Sequence, residues 1–527
     1  MARVDGVVYI ITFLILASRM LNLSGLLNLH ARYRGDETAL IFEGREYTFK
    51  ELNHLANQLA HALQASGLRK GDRFATVLNN CVELVLCYWA AATSGLVIVP
   101  CSTLLQAGGL KTLLLDSGSK FVIADAKHQQ TLASIVDELP ELSHTHIALI
   151  PGSEPVSDSE SYITYADFTG SQSTENLDVT IHNDDLYNIM YSSGTTGAPK
   201  GIVHTHQIRA LYATLFSIAW RMTPESVVLH AGALVFNGAM LTYMPWMQLA
   251  CKFILHPGFQ PEKFIEAVEQ HKVTHVVLVP AQIIAILNSP EFSPEKLVSL
   301  EMIHNVGAPL HLEYKQKINE LLPDRFYELY GVTEGFMTIL DKRDAVVKAG
   351  SVGIPQSFTE ICVMREDGQQ CDAGEIGEIC GRGPLVMPGY YNQPELTEKA
   401  FKFGWLHSGD LGYLDEDGFL FLVDRQKDMI ISGGVNVYPK DIEEIVIQHP
   451  AVNEVAVFGI PSEKWGESPV AAVVCNEQIE AEELRVWTNE RVDARFQKLA
   501  SVFVLQEFPR NVAGKILKRE LRDKFSP

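Results

Sequence analysis

Residues 191–201 read Tyr-Ser-Ser-Gly-Thr-Thr-Gly-Ala-Pro-Lys-Gly. Gly194, Gly197 and Gly201 allow the backbone to bend tightly and approach a ligand closely. In such a loop, successive N–H groups can converge on one anion. Ser192, Ser193, Thr195 and Thr196 add hydroxyl donors, and Lys200 adds positive charge. The chemistry this combination can do is to grip phosphate. It is not a Walker A loop, which spaces its glycines more widely and places Ser or Thr directly after the lysine. A Gly/Ser/Thr run by itself is most often a solvated surface loop. Here Leu-Tyr-Asn-Ile-Met at 186–190 reads as a short buried strand, and an apolar, helix-like segment begins after His206. A loop held between two such elements is a candidate binding site.

Five other segments carry residue types that fit around a bound nucleotide. Gly307, Ala308 and Pro309 could press backbone against a flat ring. Tyr330-Gly331-Val332-Thr333-Glu334 offers an aromatic face, a hydroxyl and a carboxylate. A carboxylate beside phosphates is a natural partial ligand for Mg²⁺, which takes few protein carboxylates and keeps waters. The segment 405–410 ends in Ser408-Gly409-Asp410, placing on a turn an acid able to accept two hydrogen bonds from a ribose diol. Asp424-Arg425-Gln426-Lys427-Asp428 is densely charged, and Gly514-Lys515-Ile516 sets a lysine on a glycine turn near the C-terminus. Taken singly, each has a plainer reading. Glu334 reads as a solvated carboxylate, Tyr330 as core, the 424–428 cluster as a surface turn and Lys515 as one surface lysine among many.

The elements that must position these residues follow a strand–helix alternation. Thr48 and Glu51 form a capping box, followed by Leu52, Leu55, Leu59 and Leu63 at helical spacing, with a stop at Gly67. Residues 74–78, 96–99 and 275–279 read as strands, and 81–92 and 281–287 as helices. This alternation predicts an α/β fold with mostly parallel sheets. From about residue 360, short strands with Asp-Gly turns predict a β-barrel-like part, and a smaller α+β module follows Asp424. The polar stretch 152–160 reads as a loop, and Leu115-Asp116-Ser117-Gly118 as a helix end.

At 527 residues the chain exceeds one ordinary core. Its net charge of −21 argues against nucleic acid or an anionic membrane as the main partner. The eight cysteines form no CxxC pair, which suggests reduced thiols and a cytoplasmic setting. The apolar run 7–16 is too short for a confident membrane span. Residues 1–19 are read as a non-structural extension ahead of Met20, without stable membrane insertion.

In their order, the six segments resemble the adenylate-forming superfamily of acyl-CoA synthetases, adenylation domains and firefly luciferase, over roughly residues 20–525. The resemblance implies a large domain over 20–424 and a small mobile domain over 425–527, hinged near Lys427. It implies ATP, Mg²⁺ and CoA as reactants and cofactor. Ser192, Ser193, Gly194, Thr195, Thr196, Gly197 and Lys200 would hold the β- and γ-phosphates. Tyr330, with Gly331 beside it, would sandwich adenine against Gly307, Ala308 and Pro309. Thr333 would touch the α-phosphate, Glu334 would help hold Mg²⁺, and Asp410 and Arg425 would bind the ribose. Lys515, with Thr195 and Glu334, would be catalytic. Gly433, Gly434, Trp465 and Phe496 would serve the second half-reaction.

One departure stands out. The family commonly carries His–x–aromatic–Gly at the acyl pocket, where this chain has Leu234, Phe236 and Asn237. His230 either compensates or is a buried histidine. Phe236, Asn237, Phe336 and Met337 become the acyl-pocket candidates, a lining that suits an apolar fatty, alicyclic or aromatic acid. The implied activity is acid–CoA ligation. A stand-alone enzyme loading a carrier protein, a luciferase-like oxidation and a nucleotide-binding pseudoenzyme are the alternatives, and homodimer formation is left open.

Overall fold

The computed structural model describes residues 21–152, 162–192, 200–425, 428–432, 435–462, 465–492, 494–510 and 515–526, with Ser192 and Arg425 described by their backbones alone. The expected loop at 152–160 and extension at 1–19 therefore lie almost wholly outside the described residues.

The Thr48 capping box forms as the sequence implies. The Thr48 hydroxyl accepts from the Glu51 N–H, the Glu51 carboxylate accepts from the Thr48 N–H, and the helix Phe49–Ala65 follows. The next strands, Arg73–Val77 and Val97–Cys101, are almost wholly apolar and buried, as strands covered on both faces must be. They pair in parallel within a seven-stranded sheet that ends in the antiparallel pair Leu186–Ser192 and Lys200–Thr205. The second expected strand runs past Pro100. Proline lacks an N–H donor and reads as a stop, yet the pairing with Arg73–Val77 continues to Cys101.

A nine-stranded sheet has a parallel centre that includes Val227–His230, His275–Leu278, Met302–Asn305 and Phe326–Gly331. Between the two sheets lie the helices Val82–Ser94, His206–Ala219 and Met240–Leu249, whose side chains share one core with Phe74, Ile98, Val228 and Phe253. Val82–Ser94 is apolar on nearly every side, as a helix sandwiched between two sheets should be.

Beyond residue 360, a five-stranded antiparallel sheet includes Glu360–Met364, Gly377–Arg382, Trp405–Leu414 and Leu420–Arg425. The C-terminal part builds its own five-stranded sheet around the long hairpin Val452–Ser462 and Gly466–Cys475. The last helix is Lys518–Phe525, and it starts after Ile516, which is taken by a bridge to Arg510. The helix Ala107–Ser117 ends at Gly118 in the left-handed conformation, so residues 115–118 are a helix end. Among the described residues, no helix is long and apolar enough to cross a membrane.

Candidate active site

The two parallel strands Met302–Asn305 and Phe326–Gly331 end side by side, with Asn305 opposite Glu328. Their C-terminal ends deliver Gly307, Ala308 and Pro309 and the segment 330–334 to one edge, the usual place for ligands in such sheets. The 307–309 turn is exposed, while what supports it is buried. The Asn305 amide donates to the Glu328 carboxylate at 2.8 Å and to the Ala308 carbonyl at 3.1 Å. The other Glu328 oxygen pairs with the Lys315 ammonium, which also donates to the Ala349 carbonyl at 3.1 Å. Breaking a buried pair of this kind by removing one partner is strongly destabilising, so the Lys315–Glu328–Asn305 chain fixes the turn.

The Tyr330 hydroxyl donates to Asp410 at 2.9 Å, across a sequence separation of 80 residues. Asp410 lies opposite Arg425 in the antiparallel register of their strands, so the two residues are backbone neighbours. Glu378 sets the turn before Asp410. One of its oxygens accepts the Gly409 N–H at 2.9 Å and the other accepts the His407 Nδ1–H at 2.7 Å. Gly409 has φ +74°, a conformation in which a side chain would be strained.

Glu334 directly precedes Gly335, a position only glycine can fill, since a Cβ there would lie 2.0 Å from the Leu385 carbonyl oxygen. The Glu334 carboxylate accepts from the Tyr390 hydroxyl at 2.8 Å. Burial first, and then the neighbouring Glu334 charge, push the Tyr390 hydroxyl well up, so it remains a donor. The Tyr390 ring also faces the Lys200 ammonium, 5.4 Å from its centroid. Lys200 in turn lies opposite Ser192 at the loop end of their hairpin. Ser193, Gly194, Thr195, Thr196 and Gly197 lie outside the described residues, as do Lys427, Gly433 and Gly434.

Thr333 is held from behind. Its carbonyl accepts from His204 Nε2 at 2.9 Å, while His204 Nδ1 accepts from Asn188 at 3.3 Å and Arg209 at 3.2 Å. Burial and the Arg209 charge hold His204 well below the usual imidazole range, consistent with this neutral tautomer.

Phe236 caps the short helical turn Asn237–Ala239 and packs on the core that also contains Met337. Phe336, just ahead of the strand Met337–Leu340, packs instead with Tyr330, Ile202 and Ile379 beneath Gly381. His230 is buried against Phe253, and burial lowers it to about 4, which fits the buried-histidine alternative. The Leu234 N–H and carbonyl are instead held by Asn80 at 2.8 Å and the Tyr88 hydroxyl at 3.1 Å. In the C-terminal part, Lys515, Trp465 and Phe496 are all exposed. The helix Pro439–Val446 reaches the larger part: Lys440 Nζ donates to the Leu422 carbonyl at 2.9 Å, and Glu444 lies 3.4 Å from His311.

Sequence reasoning passed over Tyr390, Glu378, Asn305, Lys315, Glu328, His204 and Arg209. None lies in a glycine-rich or paired motif, and only tertiary contacts reveal them.

Comparison with known proteins decides the assignment. Sequence models of the AMP-binding enzyme and of the AMP-binding enzyme C-terminal domain match residues 27–391 and 441–515. The chain belongs to the AMP-binding enzyme family. Within it, the chain is 35% identical to the long-chain-fatty-acid–CoA ligase FadD13 of Mycobacterium tuberculosis, covering 91% of this chain and 93% of that protein. It is 33% identical to a feruloyl-CoA synthase of an Amycolatopsis species, over 94% of this chain and 97% of that one. The solved structure of ATP-bound MatB from Rhodopseudomonas palustris superposes with a TM-score of 0.86 at 28% identity, covering 96% of this chain and 99% of that one. Like other AMP-binding enzymes, the protein combines a large N-terminal α/β domain with a smaller C-terminal domain.

Proposed function

We propose that this AMP-binding enzyme is an ATP-dependent carboxylic acid–CoA ligase. Acid and ATP give acyl-AMP and pyrophosphate, and acyl-AMP and CoA then give acyl-CoA and AMP. The observation that carries the reading is the convergence of Tyr330, Asp410, Glu334 and Lys200 around one edge, in a chain of this family. Relatives named for fatty and aromatic acyl-CoA formation support an apolar fatty, alicyclic or aromatic acid, as do the apolar surroundings of Phe236 and Met337.

In this reading, adenine lies between Tyr330 and the exposed 307–309 turn, and Asp410 and Arg425 take the ribose. Segment 192–200 holds the outer phosphates and Thr333 the α-phosphate. Glu334 fits a metal role. Its carboxylate is partly exposed and oriented through one oxygen by Tyr390, and a carboxylate has a second oxygen to offer. Glu334 would hold Mg²⁺, which when bound neutralises charge on the departing pyrophosphate.

The acid's carboxylate and ATP repel each other as anions. Lys515 between them relieves that repulsion and stabilises charge building at the α-phosphorus. No covalent enzyme intermediate is needed. The small domain, 425–527, then turns about Lys427 to remove Lys515 and bring Gly433, Gly434, Trp465 and Phe496 to the thiol.

The test is a screen of fatty, alicyclic and aromatic acids with ATP, following AMP release with and without CoA. Release that depends on CoA supports the ligase. Adenylation that ignores CoA but loads an acyl-carrier protein would replace it with the carrier-loading alternative.

A further inference from the structure

Arg209 is a fully buried cation without an acidic partner among the described residues. It lies in the first turns of the helix His206–Ala219 with none of its surface exposed. Its Nε donates to Asn188 Oδ1 at 2.8 Å and its Nη2 to His204 Nδ1 at 3.2 Å, and both partners are neutral. Its Nη1 has no hydrogen-bond partner among the described residues, and no described carboxylate pairs with it. The guanidinium lies over the ring of Tyr212, 4.8 Å from the centroid, and the buried Tyr212 hydroxyl also has no hydrogen-bond partner among the described residues. The neighbouring Tyr88 and Tyr187 hydroxyls are pushed up by burial and remain neutral, so they supply no counter-charge.

Arginine keeps its charge in proteins, and a buried charge needs pairing to be tolerated. The missing counter-charge is therefore expected to arrive with a ligand. The surroundings say which part of the ligand. On one side, the His204 imidazole separates Arg209 from Thr333, so Arg209 stands behind the residue assigned to the α-phosphate rather than beside the phosphate itself. On the other side, Arg209 is a neighbour of Tyr88, whose hydroxyl holds the carbonyl of Leu234 at the start of the Phe236 segment. This places the unpaired donors behind the acyl-pocket candidates.

We propose that Arg209 Nη1 and the Tyr212 hydroxyl form a subsite for a second carboxylate at the far end of the acid, so that the enzyme favours apolar acids tipped by an oxygen anion. This rests on the ligase reading and narrows its substrate class. A hydroxyl-tipped acid offers the same acceptor atom without the charge and should rank between carboxylate and methyl.

The test compares matched acids on the full-length enzyme: suberate, ω-hydroxyoctanoate and octanoate, and terephthalate, para-hydroxybenzoate and para-methylbenzoate. AMP release in the presence of CoA gives kcat/KM for each. In at least one series the carboxylate-tipped acid should exceed the methyl-tipped one by ~10²-fold or more, since a site built around buried polar groups rejects analogues that leave them unpaired. Arg209→Met should collapse that ratio to within about threefold, and Arg209→Lys should retain part of it. Tyr212→Phe, which keeps the ring, should lower the ratio severalfold, guarding against a failure of the arginine variants to fold. A purely structural role would change overall rates and leave the ratio alone.

Thermal stabilisation by suberate or terephthalate with AMP, present in the wild type and absent in Arg209→Met, reads the subsite without turnover. That keeps a failure here distinct from a failure of the ligase reading. Equal or greater use of methyl-tipped acids in both series, ratios unchanged by Arg209→Met and Tyr212→Phe, or no stabilisation by either diacid would overturn the proposal.

Discussion

The Tyr330 hydroxyl donates a 2.9 Å hydrogen bond to the Asp410 carboxylate, joining the end of a parallel-sheet strand to the antiparallel sheet beyond it. One contact thus sets both the aromatic face assigned to adenine and the acid assigned to ribose. Tyr330→Phe keeps the ring and removes this hydrogen bond to the acid. A hydrogen bond to a charged group is worth about 1.5–3 kcal/mol, so kcat/KM for ATP should fall about tenfold or more while KM for the acid changes little. Pyrophosphate exchange with varied ATP measures this.

Tyr390 plays the corresponding part for Glu334. Tyr390→Phe should raise the Mg²⁺ concentration needed for half-maximal adenylation about tenfold or more, since losing an outer partner typically weakens metal binding about 10–100-fold. An unchanged Mg²⁺ dependence would separate Tyr390 from the metal role given to Glu334.

Four buried histidines predict how the fold responds to acid. Burial lowers His206, His230 and His275 to about 4 and His304 to about 3, all below the ordinary 6.5. Below 6.5 the unfolded chain binds protons that the folded chain refuses. Their contribution is therefore full above 6.5 and is lost as pH falls towards about 4. At ~1.4 kcal/mol per unit, each contributes on the order of 3 kcal/mol to that loss. Tm should fall steeply below pH ~6.5. His304, whose two ring nitrogens have no hydrogen-bond partner among the described residues, gives a clean control: in His304→Leu the fall should be shallower than in the wild type.

The sequence revealed what repeats a local pattern. The Thr48 capping box, the buried strand before the phosphate loop and the strand–helix alternation all reappear in the structure. Each depends on neighbours in the chain, through side-chain reach to the backbone or through hydrophobic periodicity. The family was legible because its segments recur in one order. Tyr390 and Glu378 were not, since a tyrosine or glutamate away from any motif gains meaning only when another strand brings Glu334 or His407 within reach. Arg209 was hidden for a further reason. An arginine on a helix is ordinarily solvated, whereas packing between the two sheets left this one no exposed surface. Phe336 and Met337 are adjacent in sequence, yet Phe336, just ahead of the strand Met337–Leu340, packs into a different core from Met337.

The division of labour between the two half-reactions is tested most directly through Lys515, which lies on the C-terminal part beside the bridge between Arg510 and Ile516. The measurement is a pair of assays on Lys515→Ala: formation of acyl-AMP from acid and ATP, and conversion of supplied acyl-AMP and CoA to acyl-CoA. The account predicts a loss of about 10²–10³ in the first, with the second retained. Equal loss of both steps, or an unimpaired first step, would contradict it.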